Sequence, residues 1–189
     1  MASVLVPLAD GFEEIEAVTV IDLLRRADID VVVAGLAEGP VTGSHGIAVH
    51  TDASLDRALE RNYDMVVLPG GLPGADNLQA DHRIRDMLVR MANSGRFTAA
   101  ICAAPKVLAA AGVLNDRNAT SFPGFLSAAD VPGLTVSEAP VVVDGKIITS
   151  RGPGTAIDFS LALIEALKGA AERAEVESRL QRPGQATAA

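Results

Sequence analysis

Cys102 is the only cysteine in this 189-residue chain, and its neighbours decide what it can do. The apolar run Phe97-Thr98-Ala99-Ala100-Ile101 ahead of it predicts a buried parallel strand. Ala103-Ala104-Pro105-Lys106-Val107-Leu108 behind it predicts a helix with proline in its first turn. A residue at such a junction lies at the C-terminal edge of a sheet, where open α/β folds place their ligands. The N–H groups and dipole of the incoming helix favour negative charge there. A free thiol ionises near pH 8.5, and a helix N-terminus lowers that value by one to several units. The position therefore predicts a thiolate nucleophile with a depressed pKa. The same residues also allow a small buried hydrophobe in an alanine-rich turn.

A second chemical element is Asp10-Gly11-Phe12-Glu13-Glu14-Ile15-Glu16, which follows the first strand pattern. Asp10 and Glu13 have capping-box spacing, and Glu13 and Glu14 suit the positive end of a helix, so all three have structural roles. Glu16 is the candidate acid. It emerges at the same sheet edge as Cys102, and a poorly solvated carboxyl beside a thiolate has a raised pKa and can pass protons to and from sulfur. Its alternative is a solvated helix glutamate. The third element, Pro69-Gly70-Gly71, ends an apolar strand. Glycines there allow close backbone approach and offer N–H donors, as an oxyanion hole needs, although a tight turn uses the same residues. Arg151-Gly152-Pro153-Gly154-Thr155 resembles an anion-binding turn but lacks dinucleotide or phosphate-loop spacing, and reads as structural.

The elements that must position these residues alternate between strand and helix. Val4–Leu8 predicts a central parallel strand. Residues 13–27 predict a helix with Ile15, Val18, Ile21 or Asp22, and Leu24 on its recurring face. Residues 28–35 predict a second strand, 39–51 a small antiparallel excursion, and 54–60 a short helix capped by Ser54. Asp64–Leu68 predicts a third core strand, 81–94 a helix, 97–101 the strand before Cys102, and a helix follows to about 111. Residues 141–149 predict a hairpin turning at Asp144-Gly145, and a last helix runs through Leu167. The pattern implies a mostly parallel sheet covered on both faces. It reads as a single domain over 1–180, with a polar, frayed tail at 181–189.

Composition bounds the function. Apolar residues make up 49% of the chain, which suits a folded core, and no apolar run is long enough to span a bilayer. The first residues show no basic region ahead of the strand pattern, which argues against a signal peptide. With a single cysteine there is no intrachain disulfide, as expected of a cytoplasmic protein. A net charge of −8 and 3% aromatics disfavour nucleic acid as a partner. Three histidines and one cysteine show no metal-ligand spacing, so neither metal nor cofactor is expected.

Four motifs in order carry a resemblance. Ala-Asp-Gly-Phe-Glu-Glu-Ile-Glu at 9–16, Val-Val-Leu-Pro-Gly-Gly at 66–71, Ala-Ala-Ile-Cys-Ala-Ala-Pro at 99–105 and Thr-Ser-Arg-Gly-Pro-Gly-Thr at 149–155 are similar to the ThiJ/PfpI superfamily. Within it the chain resembles the branch of the human Parkinson-disease-associated deglycase and bacterial YajL. Arg25-Arg26-Ala27 and Val33-Ala34-Gly35-Leu36 extend the match, which runs from Val4 to about Leu180.

The resemblance implies a flavodoxin-like three-layer α/β sandwich and a homodimer, with Ile15 and Arg26 of the first helix in the interface. It implies Cys102 as nucleophile on a strained elbow and Glu16 as the protonated carboxyl beside it. Gly70, Gly71 and Ala103 are implied as backbone donors to substrate or oxidised sulfur. The implied activity is cofactor-free and acts on 2-oxoaldehydes such as methylglyoxal, as a glutathione-independent glyoxalase or protein deglycase. The alternative is a non-catalytic redox sensor or chaperone of the oxidative-stress response. The chain departs from the branch in having Phe122 where the branch has a histidine, and Gly43 and His45 where it has cysteine and arginine. Ala103 stands where peptidase members of the superfamily carry histidine, which argues against peptidase activity.

Overall fold

The computed structural model describes residues 1–182. The first half comprises β1 (Ser3–Leu8), α1 (Glu14–Arg26), β2 (Asp30–Gly35), β3 (Val41–Thr42), β4 (Ala48–Val49), β5 (Ala53–Ser54), α2 (Leu55–Ala58), β6 (Met65–Leu68), α3 (Gly74–Ala80) and α4 (His82–Asn93). The second half comprises β7 (Phe97–Ile101), α5 (Pro105–Ala110), β8 (Asn118–Ala119), β9 (Thr135–Val136), β10 (Val141–Asp144), β11 (Ile147–Ser150), α6 (Ala156–Lys168) and α7 (Ala170–Ser178). Seven strands form one sheet in the order β10-β11-β7-β6-β1-β2-β5, and only β10 runs antiparallel. This is the expected three-layer sandwich.

The apolar runs become central strands because both sheet faces are covered. Val4, Val6 and Leu8 of β1 pack under α1 and α6 with Phe159 and Ile164. Leu5 points the other way, into a second cluster with Val66, Leu68, Ile84 and Leu88 under the helices of the opposite layer. The alternation follows from the period of two along a strand.

The strand order is what builds a site. β6 lies between β1 and β7, and all three run parallel. The segments leaving Leu8, Leu68 and Ile101 therefore emerge side by side at one edge. They bring α1, the Gly70-Gly71 turn and Cys102 together.

Several local details differ from the sequence expectation. The buried face of α1 is rotated from the predicted one. Ile21 and Leu24 face inward as expected, together with Glu14, Glu16, Ala17, Val20 and Leu23, whereas Ile15 and Val18 are 57% and 48% exposed. Glu13, not Asp10, caps this helix: its Oε2 accepts the Glu16 N–H at 2.7 Å. Asp10 instead accepts the Thr42 N–H at 2.9 Å and ties down the β3–β4 hairpin. The late hairpin turns at Gly145-Lys146, one residue beyond the predicted position, since Asp144 pairs with Ile147. Helices α3 and α7 were not anticipated. Of the predicted tail, Gln181 and Arg182 are described, and the Arg182 guanidinium binds Asp158 and Glu177; residues 183–189 lie outside the described ones. No described helix is long and apolar enough to cross a membrane.

Removing a side-chain cap typically costs about 1 kcal/mol. Glu13→Ala should therefore lower the free energy of unfolding from urea titration by about 1 kcal/mol, with a matching drop in midpoint, and Glu13→Gln, which keeps an acceptor oxygen, by less. Equal midpoints for Glu13→Ala and the parent would show that the cap does not hold α1.

Candidate active site

Cys102 sits directly after β7 with a φ of +63°, a left-handed conformation uncommon for a residue with a side chain. Such a conformation costs about 1–3 kcal/mol and persists only where its surroundings enforce it. Here two backbone bonds do so. The Cys102 N–H donates to the Ser150 carbonyl at 3.0 Å, and the Cys102 carbonyl accepts the Phe122 N–H at 2.9 Å. The thiol is half-buried and aimed out of the strand–helix corner toward α1.

Glu16 is completely buried, with 0% of its surface exposed. Its Oε2 accepts the Gly70 N–H at 2.8 Å, and the carboxyl lies on the other side of Gly70 from the Cys102 side chain. Oε1 has no hydrogen-bond partner among the described residues. Gly70 is squeezed between the two functional groups. A Cβ there would lie 2.6 Å from Cys102 Cβ and 2.8 Å from Glu16 Oε2. Gly71 has a φ of +86°, and a Cβ on it would lie 2.4 Å from the Glu13 nitrogen, so this position also demands glycine.

The donors are divided differently from the expectation. The Gly71 and Ala103 N–H groups act to lower the thiol's pKa, whereas the Gly70 N–H donates to Glu16. Gly70 thus orients the acid and lets it approach, rather than presenting its donor at the sulfur.

The electrostatics correct one expectation. The Cys102 thiol is not depressed. Burial first, then the Glu16 charge and the hydrogen bond to it, push the thiol up to about 12, and the Gly71 and Ala103 donors only partly offset them. Helix α5 has six residues, and its first-turn donors do not outweigh a neighbouring carboxylate. Burial pushes Glu16 up to about 7, against the bonds from Gly70 and Cys102, and the Glu13 charge adds to the rise. Between those values the pair holds one proton, and the thiolate exists when that proton sits on Glu16.

A second cluster has a different purpose. Glu13, Glu14 and His45 approach one another closely enough to suggest a metal site, which sequence spacing did not reveal. The Glu14 oxygens are already occupied. They accept the His45 N–H at 2.7 Å, Ser44 Oγ–H at 3.3 Å and Ile47 N–H at 3.4 Å, and pair with His45 Nδ1 at 2.9 Å. Glu13 is engaged in its cap. Burial would raise Glu14, but the His45 and Ile47 bonds outweigh it and hold the carboxyl at about 2. The Glu14 bond and charge in turn raise His45. Glu14 is thus a clamp on the β3–β4 loop, and Gly43 leaves room for it in this position, since a Cβ there would lie 2.3 Å from its carboxyl carbon. The Arg151–Thr155 turn is closed on itself, with Thr155 Oγ1 bonded to the Gly152 N–H at 3.1 Å and to Ser150 Oγ at 2.7 Å.

Glu16 makes stability depend on pH in a defined direction. Its ordinary value is 4.5 and its folded value is about 7, so the folded chain holds this proton more tightly than the unfolded chain. The resulting stabilisation is complete below pH 4.5 and is lost as pH rises through 7, by about 3 kcal/mol in all. The stability of the parent relative to Glu16→Gln should fall by that order between pH 4.5 and 8 in paired denaturant titrations. A difference that stays flat, or grows with pH, would rule out a raised Glu16.

Comparison with known proteins places this geometry. The DJ-1/PfpI family model matches residues 2–166. The chain is 42% identical to the zebrafish (Danio rerio) Parkinson disease protein 7 homolog over 181 residues, covering 93% of this chain and 95% of that one. It is 32% identical to a protein named deglycase from Pyrococcus abyssi, covering 87% and 99%. The crystal structure of Drosophila melanogaster DJ-1beta superimposes with a TM-score of 0.89 at 40% identity, covering 95% and 97%. The chain spans less than half the length of two Arabidopsis thaliana relatives, DJ-1 homologs A and B, at 46% and 41% of their lengths. The chain belongs to the DJ-1/PfpI family.

Proposed function

We propose that this chain is a cysteine-dependent, cofactor-free enzyme that converts 2-oxoaldehydes to 2-hydroxy acids, with early glycation adducts on proteins as a related substrate. The observation that carries this reading is the fully buried Glu16 carboxyl set against Cys102 across Gly70, where burial and the neighbouring groups raise both pKa values. The Pyrococcus relative's name supports a chemistry of this kind.

The pair supplies both a nucleophile and a proton carrier. With the proton on Glu16, the Cys102 thiolate adds to the aldehyde carbon and forms a C–S bond. The new alkoxide is stabilised by the backbone donors and takes the Glu16 proton, giving a hemithioacetal. The Glu16 carboxylate then removes the hydrogen from the former aldehyde carbon while the neighbouring ketone oxygen gains a proton, which yields an enediol. Glu16 returns the proton to the former ketone carbon, and the hydroxyl on the former aldehyde carbon loses its proton, replacing the one the ketone oxygen took from water, which gives a 2-hydroxy thioester. Water cleaves it, releasing the 2-hydroxy acid and restoring the thiol. One carbon is oxidised and its neighbour reduced, so no external redox partner is needed.

A homodimer through α1 is part of this reading. Ile15 and Val18 protrude on that helix, and Ile157 of α6 is also exposed. Light scattering at micromolar concentration should give twice the 19.5 kDa chain mass; a monomer would count against it. The donors on the sulfur would equally hold a sulfinate, which supports a redox-responsive role as the alternative.

The decisive assay is lactate formation from methylglyoxal without glutathione, after chelator treatment. Cys102→Ser should abolish it, because a hydroxyl is a far poorer nucleophile without a strong base. Glu16→Gln should reduce turnover on the order of 10²–10⁴-fold, the usual value of a positioned acid–base group, while leaving the fold intact. In that variant the thiol should titrate below 12, because the neighbouring charge is gone. Turnover that survives Cys102→Ser would refute the mechanism. An inactive parent with an intact thiol would move the assignment to the redox-responsive role.

A further inference from the structure

Phe122 is a large apolar side chain left 45% exposed beside the nucleophile. Its placement is enforced from several directions. Its N–H donates to the Cys102 carbonyl at 2.9 Å, and its own carbonyl accepts the Ser121 hydroxyl at 2.9 Å. The ring lies over Gly152, close enough that a Cβ on that glycine would sit 3.3 Å from the ring's Cδ2. Gly152 follows Ser150, whose carbonyl accepts the Cys102 N–H. The residue is therefore fastened to both stretches of backbone that hold the nucleophile.

A second ring completes the surface. Phe125 packs edge-on against Phe122, with centroids 6.2 Å apart and planes at 71°. Lys106, one helical turn beyond Cys102, places its ammonium 5.5 Å from the Phe125 centroid and pairs with Asp76. The cation anchors the aromatic pair from the side of α5. An anchored, half-exposed ring beside a nucleophile is an unmet apolar contact. A substrate whose substituent covers it gains burial and a ring–ring interaction.

We propose that Phe122 is a specificity-determining residue, and that the site favours 2-oxoaldehydes bearing an aryl group over the methyl compound. The inference rests on the 2-oxoaldehyde reading above and names its substrate class. An arylglyoxal would bind with its ring against Phe122 and its aldehyde carbon toward Cys102 Sγ. The bond changes are those already given, so phenylglyoxal plus water yields mandelate. The ring does not take part in the proton transfers and acts through binding alone.

The test compares kcat/KM for phenylglyoxal, read as mandelate, with that for methylglyoxal, read as lactate. Phe122→Ala should lower the phenyl-to-methyl ratio about tenfold, chiefly through KM for phenylglyoxal. Phe122→Leu keeps an apolar side chain, should lower the ratio less, and serves if the alanine variant does not fold. A ratio unchanged within twofold in both variants would overturn the proposal. Binding separates this failure from failure of the catalytic reading. In the Cys102→Ser background, mandelate should bind about tenfold more tightly than lactate, and Phe122→Leu should erode that difference. A binding preference in a chain that turns over neither aldehyde would remove the catalytic reading and leave the apolar wall. Equal binding of the two acids, with turnover of both aldehydes, would remove the wall and leave the catalytic reading.

Discussion

The site depends on burying one carboxyl against one sulfur. Isolated burial of an ionised carboxylate is too costly to persist, so the group either keeps its proton or finds donors. Glu16 does both. One oxygen takes the Gly70 N–H, and burial raises the carboxyl to about 7 so that it keeps its proton below that pH. Neither group titrates as it would in water, because the charge of each is set by the other. A proton is thereby kept ready at the sulfur near neutral pH, where a solvated glutamate would have lost it.

Much of the surrounding structure exists to permit that contact. With β6 between β1 and β7, the residue that follows β6 lies between the acid and the thiol, and only glycine is small enough there. Glu13 fixes the start of α1 through the N–H of Glu16 itself. Glu14 points the other way and holds the loop after β3 through four donors. Three glutamates within four positions thus do three jobs: cap, clamp and acid. Their charges are separated by direction rather than by distance along the chain, which is why the raised value falls on Glu16 and the lowered one on Glu14.

The strand framework was legible in the sequence because buried parallel strands are runs of apolar residues, and Val4–Leu8, Met65–Leu68 and Phe97–Ile101 have no competing reading. Cys102 was legible for the same reason, since it follows one of those runs. What failed was anything set by partners distant in sequence. The inward face of α1 could not be read from periodicity, because buried glutamates break the apolar pattern and Ile15 and Val18 protrude. The clamp on residues 44–47 and the tie from Asp10 to Thr42 span some thirty residues and leave no local signal. The direction of the thiol's shift is not legible in the sequence, because proximity to a helix start is visible there whereas the burial and the neighbouring carboxylate that outweigh it are not.

The same distinction separates scaffold from specificity. A backbone that superimposes on DJ-1beta at a TM-score of 0.89 carries the elbow, the two glycines and the acid in one register. These parts are mutually dependent, since moving any of them by an ångström breaks the contact between Cys102 and Glu16. The loop bearing Phe122 is joined to that core through its bond to Cys102 and the Thr120–Thr149 bond, and its side chain stays half-exposed beside Gly152. Its identity can change without disturbing the proton shared below. On the proposed reading, such a site would hold its chemistry rigidly and leave its choice of substrate to a surface residue, as expected where function is mounted on a widely used fold.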